Sequence, residues 1–309
     1  MILVVGSTGR LGSEIVRQLR EQNQPVRALV RKTSDPEKVA NLASLGATIV
    51  EGHLTDQASL VAVCRGVDTV ITTATSTASH TPGDSIPRID QLGQLQLVEA
   101  AMETGVRQFI YMSYSRNIKV DCPLTTAKRT VEYRVIGSGM NYTILRSSYF
   151  LEVWLSPFVG FDYPNSQARI YGSGQNPISW ISYVDVARFT VMVVKEPAAH
   201  NAILELGGPE KLSPNEVVKL FEQGSGKAFR VDHVPVEALE GQKAATDDPL
   251  QQSFAGLMLS YAQGDPIDMQ DTLRAFPVTL ASVKDYAARV MAAIHQNDGI
   301  SHTGASDLV

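Results

Sequence analysis

Within residues 1–146, six short apolar runs alternate with five stretches of helical spacing. The runs are 2–5, 26–31, 47–52, 68–75, 108–113 and 141–146; the helical stretches are 10–22, 35–46, 56–66, 88–104 and 126–138. Successive parallel strands need long crossovers, and a helix is the usual crossover, so this rhythm predicts a parallel sheet covered by helices on both faces. After residue 150 the rhythm loosens. Helical spacing persists at 184–196, 213–226, 249–263 and 279–295, with one returning strand at 202–208. The expected fold is therefore α/β: a Rossmann-type doubly wound parallel sheet with a smaller mixed C-terminal substrate lobe. The sheet domain is expected over 1–150, with 176–208 returning to it. The lobe is expected over 151–175 and 209–309.

Ligands of such sheets bind beyond the carboxyl ends of the strands, which directs attention to the residues just after each run. The first is "VVGSTGRLG", where Gly6, Gly9 and Gly12 are spaced G-x-x-G-x-x-G between a strand and a helix. One glycine permits the tight turn, one lets a pyrophosphate approach the backbone, and one lets the helix pack on the strand. The amides of Gly6, Ser7, Thr8, Gly9, Arg10, Leu11 and Gly12, at the positive end of a helix, would meet the anion. Sites for NAD usually place Asp or Glu about 20 residues later, on the ribose hydroxyls. Here Arg31 and Lys32 stand 19 and 20 residues after Gly12, with no carboxylate before Asp35. Two cations favour a 2′-phosphate, so the expected cofactor is NADP(H). Arg10 either reaches the same phosphate or is a surface residue. Asp56 either meets the adenine edge or caps the helix it precedes. Ala74 and Thr75, small residues after the fourth strand, leave room for the cofactor.

Composition sets outer limits. The chain has 309 residues, 44% of them hydrophobic, and a net charge of −5. A balance that acidic offers no general basic surface, so direct nucleic-acid binding is not expected. Cys64 and Cys122, the two cysteines, make neither a zinc site nor a disulfide framework, and they suit a reducing cytoplasm. His53, His80, His200 and His233 lack metal-ligand spacing, so no metal is expected; His80 sits in a loop over the anticipated site. No stretch approaches the roughly 20 apolar residues that span a bilayer, and the opening run is too short for a signal peptide. The polar tail 295–309 is expected to fray.

The segments "VVGSTGRLG", "VRK", "GHLTD", "FIYMSYS", "KRTVEYRVIGSGMNYTILRSSYFLE" and "ISYVDVA" together resemble the NmrA-like branch of atypical short-chain dehydrogenases, over about residues 1–208. The resemblance implies NADPH-dependent quinone or isoflavone-type reductases, or redox sensors that have lost turnover. Short-chain enzymes generally use a Tyr-x-x-x-Lys pair. Lys128 sits where that lysine belongs, but four residues earlier stands Leu124. In this branch a lysine can act without the tyrosine, which makes Lys128 the carried-over candidate for the nicotinamide ribose or a substrate carbonyl. Ser113 and Tyr114, just past the fifth strand, offer hydroxyl donors. Tyr149 and Phe150, after the sixth, either wall the nicotinamide or pack the lobe. Asp185 reads as a helix cap rather than a catalyst.

Two functions follow as expectations. One is an NADPH-dependent oxidoreductase delivering hydride to a quinone, enone or similar conjugated molecule, its small hydrophobic or aromatic substrate held by the aromatic segment 148–163. The alternative is a catalytically weak NADP(H)-binding sensor. A nucleotide-sugar epimerase ranks last, because it needs the missing tyrosine. A cytoplasmic monomer or homodimer is expected.

Overall fold

The computed structural model describes residues 1–77, 79 and 81–302, with side chains described to residue 293. Its first half follows the alternation. Strands β1 (Ile2–Val5), β2 (Val26–Val30), β3 (Thr48–Glu51) and β4 (Thr69–Thr72) are joined by helices α1 (Arg10–Glu21), α2 (Pro36–Ser44) and α3 (Gln57–Cys64). A π-helix (Ile86–Gly93) runs directly into α4 (Gln94–Glu103), followed by β5 (Gln108–Tyr114), α5 (Pro123–Ile136) and β6 (Asn141–Ser147). The second half holds α6 (Leu151–Trp154), β7 (Phe161–Asp162), β8 (Gln167–Tyr171), α7 (Tyr183–Val193), β9 (Ala202–Leu206), α8 (Pro214–Ser225) and β10 (Arg230–Val234). Helices α9 (Val236–Ala244), α10 (Pro249–Gln263), α11 (Gln270–Ala275) and α12 (Val283–His302) complete it.

Seven strands form one parallel sheet in the order β3-β2-β1-β4-β5-β6-β9. The order reverses at β1, so the crevice beyond the carboxyl ends of β1 and β4 is the topological switch point. Alternation along the strands feeds two cores. Ile2, Val4, Ile110 and Met112 face α1 and α7, while Leu3, Val5, Phe109 and Tyr111 face α3, α4 and α5. Ile267, Met269 and Phe276 reach back from the C-terminal part into the first of these cores. A separate three-stranded sheet, β10-β8-β7, with α8, α9, α10 and α12 encloses an aromatic core containing Trp180, Phe161, Phe221 and Tyr261. Helix α10 closes on the first turn of α5: a Cβ at Gly256 would lie 2.8 Å from Cys122 Cβ.

Some boundaries differ from the sequence reading, for local reasons. The stretch 88–104 starts two residues earlier and opens as a π-helix. Helix α5 starts at Pro123, three residues early, because Cys122 and Thr125 close a capping box around a proline in the first turn. The cap of α7 is Ser182, whose Oγ accepts from the Val184 amide; Asp185 instead holds Arg188 and the Ala281 amide. Strands β7, β8 and β10 and helices α6, α9 and α11 have no counterpart in that reading; most are too short or too exposed to show a period. The tail backbone is helical to His302, and residues 303–309 lie outside the described residues. Among the described residues no helix is long and apolar enough to cross a membrane.

Candidate active site at the carboxyl edge of the sheet

The glycine turn is built by close backbone approach. Gly6 has φ +84°, and a Cβ there would sit 2.7 Å from the Ala74 nitrogen. A Cβ on Gly12 would lie 2.1 Å from the Gly6 oxygen, so α1 can rest on the turn only without a side chain. Gly9 is the residue before α1; no side chain caps the helix, and its first turn carries no acidic residue. The first amides of α1 therefore point outward with no carboxylate to satisfy them, a ready anion site. Ser7 is fully buried and its Oγ donates to the Leu29 oxygen at 2.7 Å, which ties the turn to β2. Thr8 is half-buried, while Gly9 and Arg10 are exposed; Leu11 is buried in the core beneath. Arg10 reaches away from β2, donating to the Glu152 oxygen at 3.1 Å.

At the end of β2 both cations have partners. Arg31 Nη1 lies 2.7 Å from Asp84 Oδ2. Lys32 is 84% exposed and 3.5 Å from Glu51. Asp56 caps α3, accepting from the Ser59 amide at 3.2 Å. Ala74 and Thr75 follow β4, the first half-buried beside Gly6 and the second exposed.

The other end of the crevice holds Lys128, on the buried stripe of α5. Its Nζ donates to the Met112 oxygen at 3.2 Å and stands 5.2 Å from the Tyr111 ring centre and 5.7 Å from that of Tyr114. Burial pushes its pKa below the ordinary lysine value, while the charges of Asp90 and Glu132 pull the other way. Tyr114 is half-buried, and burial, helped by Asp90, raises its phenol pKa. Ser113 is buried and donates its hydroxyl to Glu132. Glu132 in turn bridges Arg129 (2.6 Å) and Arg146 (2.5 Å). Asp90, on the π-helix, is fully buried: Oδ2 accepts from the Ser76 amide and hydroxyl, and Oδ1 has no hydrogen-bond partner. The Tyr111 hydroxyl is likewise unpartnered.

Tyr149 lies in the lobe's aromatic core, its ring edge-on to Trp154 at 4.8 Å and its hydroxyl donating to the Leu257 oxygen. Phe150 is half-buried, packed against the sheet core. His80 lies outside the described residues. A cleft of about 980 Å³ runs between Pro87 and Gln91 of the π-helix, Cys122 and Thr126 at the start of α5, and Glu240 and Leu259 of the lobe. The π-helix and α5 are the two elements that carry Asp90 and Lys128.

Asp84, Asp90 and Glu132 are absent from the sequence-predicted set. Two of them left a signal. Ile86, Ile89, Asp90 and Gly93 share one helical face, and Lys128 and Glu132 fall in the apolar stripe of Leu124, Val131 and Val135. A carboxylate or ammonium at a core position marks a site worth testing.

The sequence profile of the NmrA-like family matches residues 1–286. An isoflavone reductase homologue from Zea mays is 31% identical over 315 residues, covering 94% of this chain and 98% of its own. An NAD(P)H azoreductase from Xenophilus azovorans is 30% identical over 283 residues, covering 90% and 92%. An NADPH-dependent quinone oxidoreductase from Escherichia coli, solved with NADPH, matches with TM-score 0.77 at 20% identity, over 94% of this chain and 100% of that one.

Proposed function

We propose, from the premise that this chain belongs to the NmrA-like family, that it is an NADPH-dependent oxidoreductase acting on small, flat, conjugated acceptors such as quinones or enones. The two relatives described above are by name an isoflavone reductase homologue and an azoreductase, and the neighbour solved with NADPH shares the fold. The glycine cradle fits the coenzyme: Gly6 and Gly12 admit no Cβ, and the amides of an uncapped helix face outward. In this reading residues 1–150 with 176–208 hold the coenzyme, and 151–175 with 209–309 shape the acceptor pocket.

Arg10, Leu11 and Gly12 would hold the pyrophosphate through their amides, the Gly9 amide being given to the Gly6 oxygen at 3.0 Å, and Arg31 and Lys32 the 2′-phosphate. Ala74, Thr75 and Phe150 would flank the nicotinamide half, while Ser7, Asp56 and Tyr149 brace the surrounding structure. When bound, the coenzyme supplies the hydride. An acceptor oxygen that gains charge needs hydrogen-bond donors, and Lys128 and Tyr114 are this chain's donors. Burial lets the Lys128 ammonium release its proton more readily than a free lysine, whereas the Tyr114 phenol keeps its proton and only donates a hydrogen bond. Ser113, already given to Glu132, stands behind the reacting groups.

The observation that carries this reading is Lys128 itself: 5% exposed, with one backbone carbonyl as its hydrogen-bond partner. A purely structural residue there would be better apolar, because a buried ammonium is costly. The test is coenzyme consumption, followed by absorbance, with a panel of quinones and enones. Lys128→Met is expected to lower kcat by about 10²- to 10⁴-fold, the usual share of a proton-donating side chain, while coenzyme affinity holds. A parent inert towards every acceptor, or a variant as active as the parent, would overturn the proposal.

A further inference from the structure

Asp84 reaches Arg31 from the connection between β4 and the π-helix, 53 residues along the chain. Its carboxylate is nearly buried, with 6% of the side chain exposed. Two donors hold it and an imidazole stands nearby, from three separate parts of the sheet edge. Arg31, just after β2, binds Oδ2 at 2.7 Å. The Ser79 hydroxyl, beyond β4, donates to the same oxygen. His53, beyond β3, holds Nε2 4.0 Å from Oδ1, while its Nδ1 is engaged with Thr55 at 2.8 Å. The loop is braced where it turns: Asp84 donates its amide to the Thr81 oxygen at 3.1 Å, and Arg88 holds the Gly83 oxygen at 3.2 Å.

A guanidinium, a hydroxyl and a nearby imidazole are the kinds of group that receive a phosphate. They meet beyond β2, where a doubly wound sheet receives the adenosine ribose. We infer that the Asp84 carboxylate is an internal stand-in for the 2′-phosphate: it keeps these donors assembled and competes with the incoming phosphate for Arg31. This inference rests on the NADPH reading above and deepens it. Asp84 thereby sets coenzyme preference, because a 2′-phosphate must displace it and a bare 2′-hydroxyl need not. A phosphate monoester carries more charge than a carboxylate and wins the exchange, but its net gain is reduced by the pair it breaks.

The experiment is calorimetric titration of the full chain with NADPH and with NADH, and with 2′,5′-ADP as the smallest probe of the 2′-phosphate. Asp84→Asn is expected to tighten NADPH and 2′,5′-ADP about tenfold, equivalent to about 1.4 kcal/mol, with NADH changed by less than about twofold. Arg31→Ala should erase that gain when combined with Asp84→Asn. Ser79→Ala, which loosens the same carboxylate without removing it, should shift NADPH in the same direction by less, and it serves as the probe if Asp84→Asn fails to fold. Unchanged or weaker NADPH binding in both variants, or equal shifts for NADPH and NADH, would overturn the inference and leave the NADPH reading standing. A parent that binds neither NADPH nor 2′,5′-ADP would bring down both.

Discussion

Replacing Glu132 by Ala should cost about 3–5 kcal/mol of folding stability, as removal of one partner from a buried ion pair does. Glu132 is 3% exposed and sits between Arg129 of α5 and Arg146 of β6, while Ser113 of β5 donates to the same carboxylate. Arg146 also reaches Glu205 of β9 at 3.3 Å. One side chain thus pins the helix that carries Lys128 to β5 and β6, and Arg146 extends the network to β9. Deleting Glu132 leaves the part-buried Arg129 guanidinium without its carboxylate partner and Arg146 with Glu205 alone. Burial alone would raise the Glu132 pKa, but hydrogen bonds from Arg146 and Ser113 and the two guanidinium charges outweigh it and hold the pKa below the usual value. The sign follows. A depressed folded pKa means this contribution is complete above the ordinary glutamate value, about 4.3, and is lost as pH falls through the folded value. Denaturant unfolding of Glu132→Ala and Glu132→Gln across pH would read both effects. A loss below about 1 kcal/mol, the range of surface pairs, would show that the network adds little.

Gly12→Ala should abolish coenzyme binding, weakening it at least about a hundredfold, or roughly 2.7 kcal/mol. The added methyl would meet the Gly6 oxygen at 2.1 Å and the Gly6 carbon at 2.7 Å, both backbone atoms. Only a shift of the helix start or of the turn relieves that contact, and either shift misaligns the amides that receive the pyrophosphate. Gly9→Ala is the contrasting variant. Its nearest contact would be 3.3 Å and its φ is −78°, so the turn should persist. Titration of both variants with NADPH separates a collapsed cradle from a merely narrowed one. Equal binding by Gly12→Ala and parent would contradict the geometry.

The sheet was legible because its strands and crossover helices are long enough to show their periods, and because β1 and the glycine turn are contiguous in sequence. The anion cradle was legible for the same reason: strand, turn and helix lie within 20 residues. What escaped depends on contacts between distant segments. Asp84 meets Arg31 across 53 positions, and Ser113 meets Glu132 across 19. Nothing in either local stretch announces its partner. The lobe was hard for a different reason. Strand β7 is two residues long and α6 four, and their order comes from packing around Tyr149, Trp154 and Tyr261 rather than from any repeat. Asp90 and Glu132, by contrast, stood in plain apolar stripes and were readable as charges at core positions.

The central claim is that a dinucleotide settles on the bare amides at the start of α1. Hydrogen–deuterium exchange, resolved to the peptide spanning Gly6 to Ser13 and measured with and without NADPH, tests it most directly. Slowed exchange in that peptide on addition of coenzyme, and its absence in Gly12→Ala, is the predicted result. Saturating NADPH that leaves those amides exchanging at their original rate would contradict it.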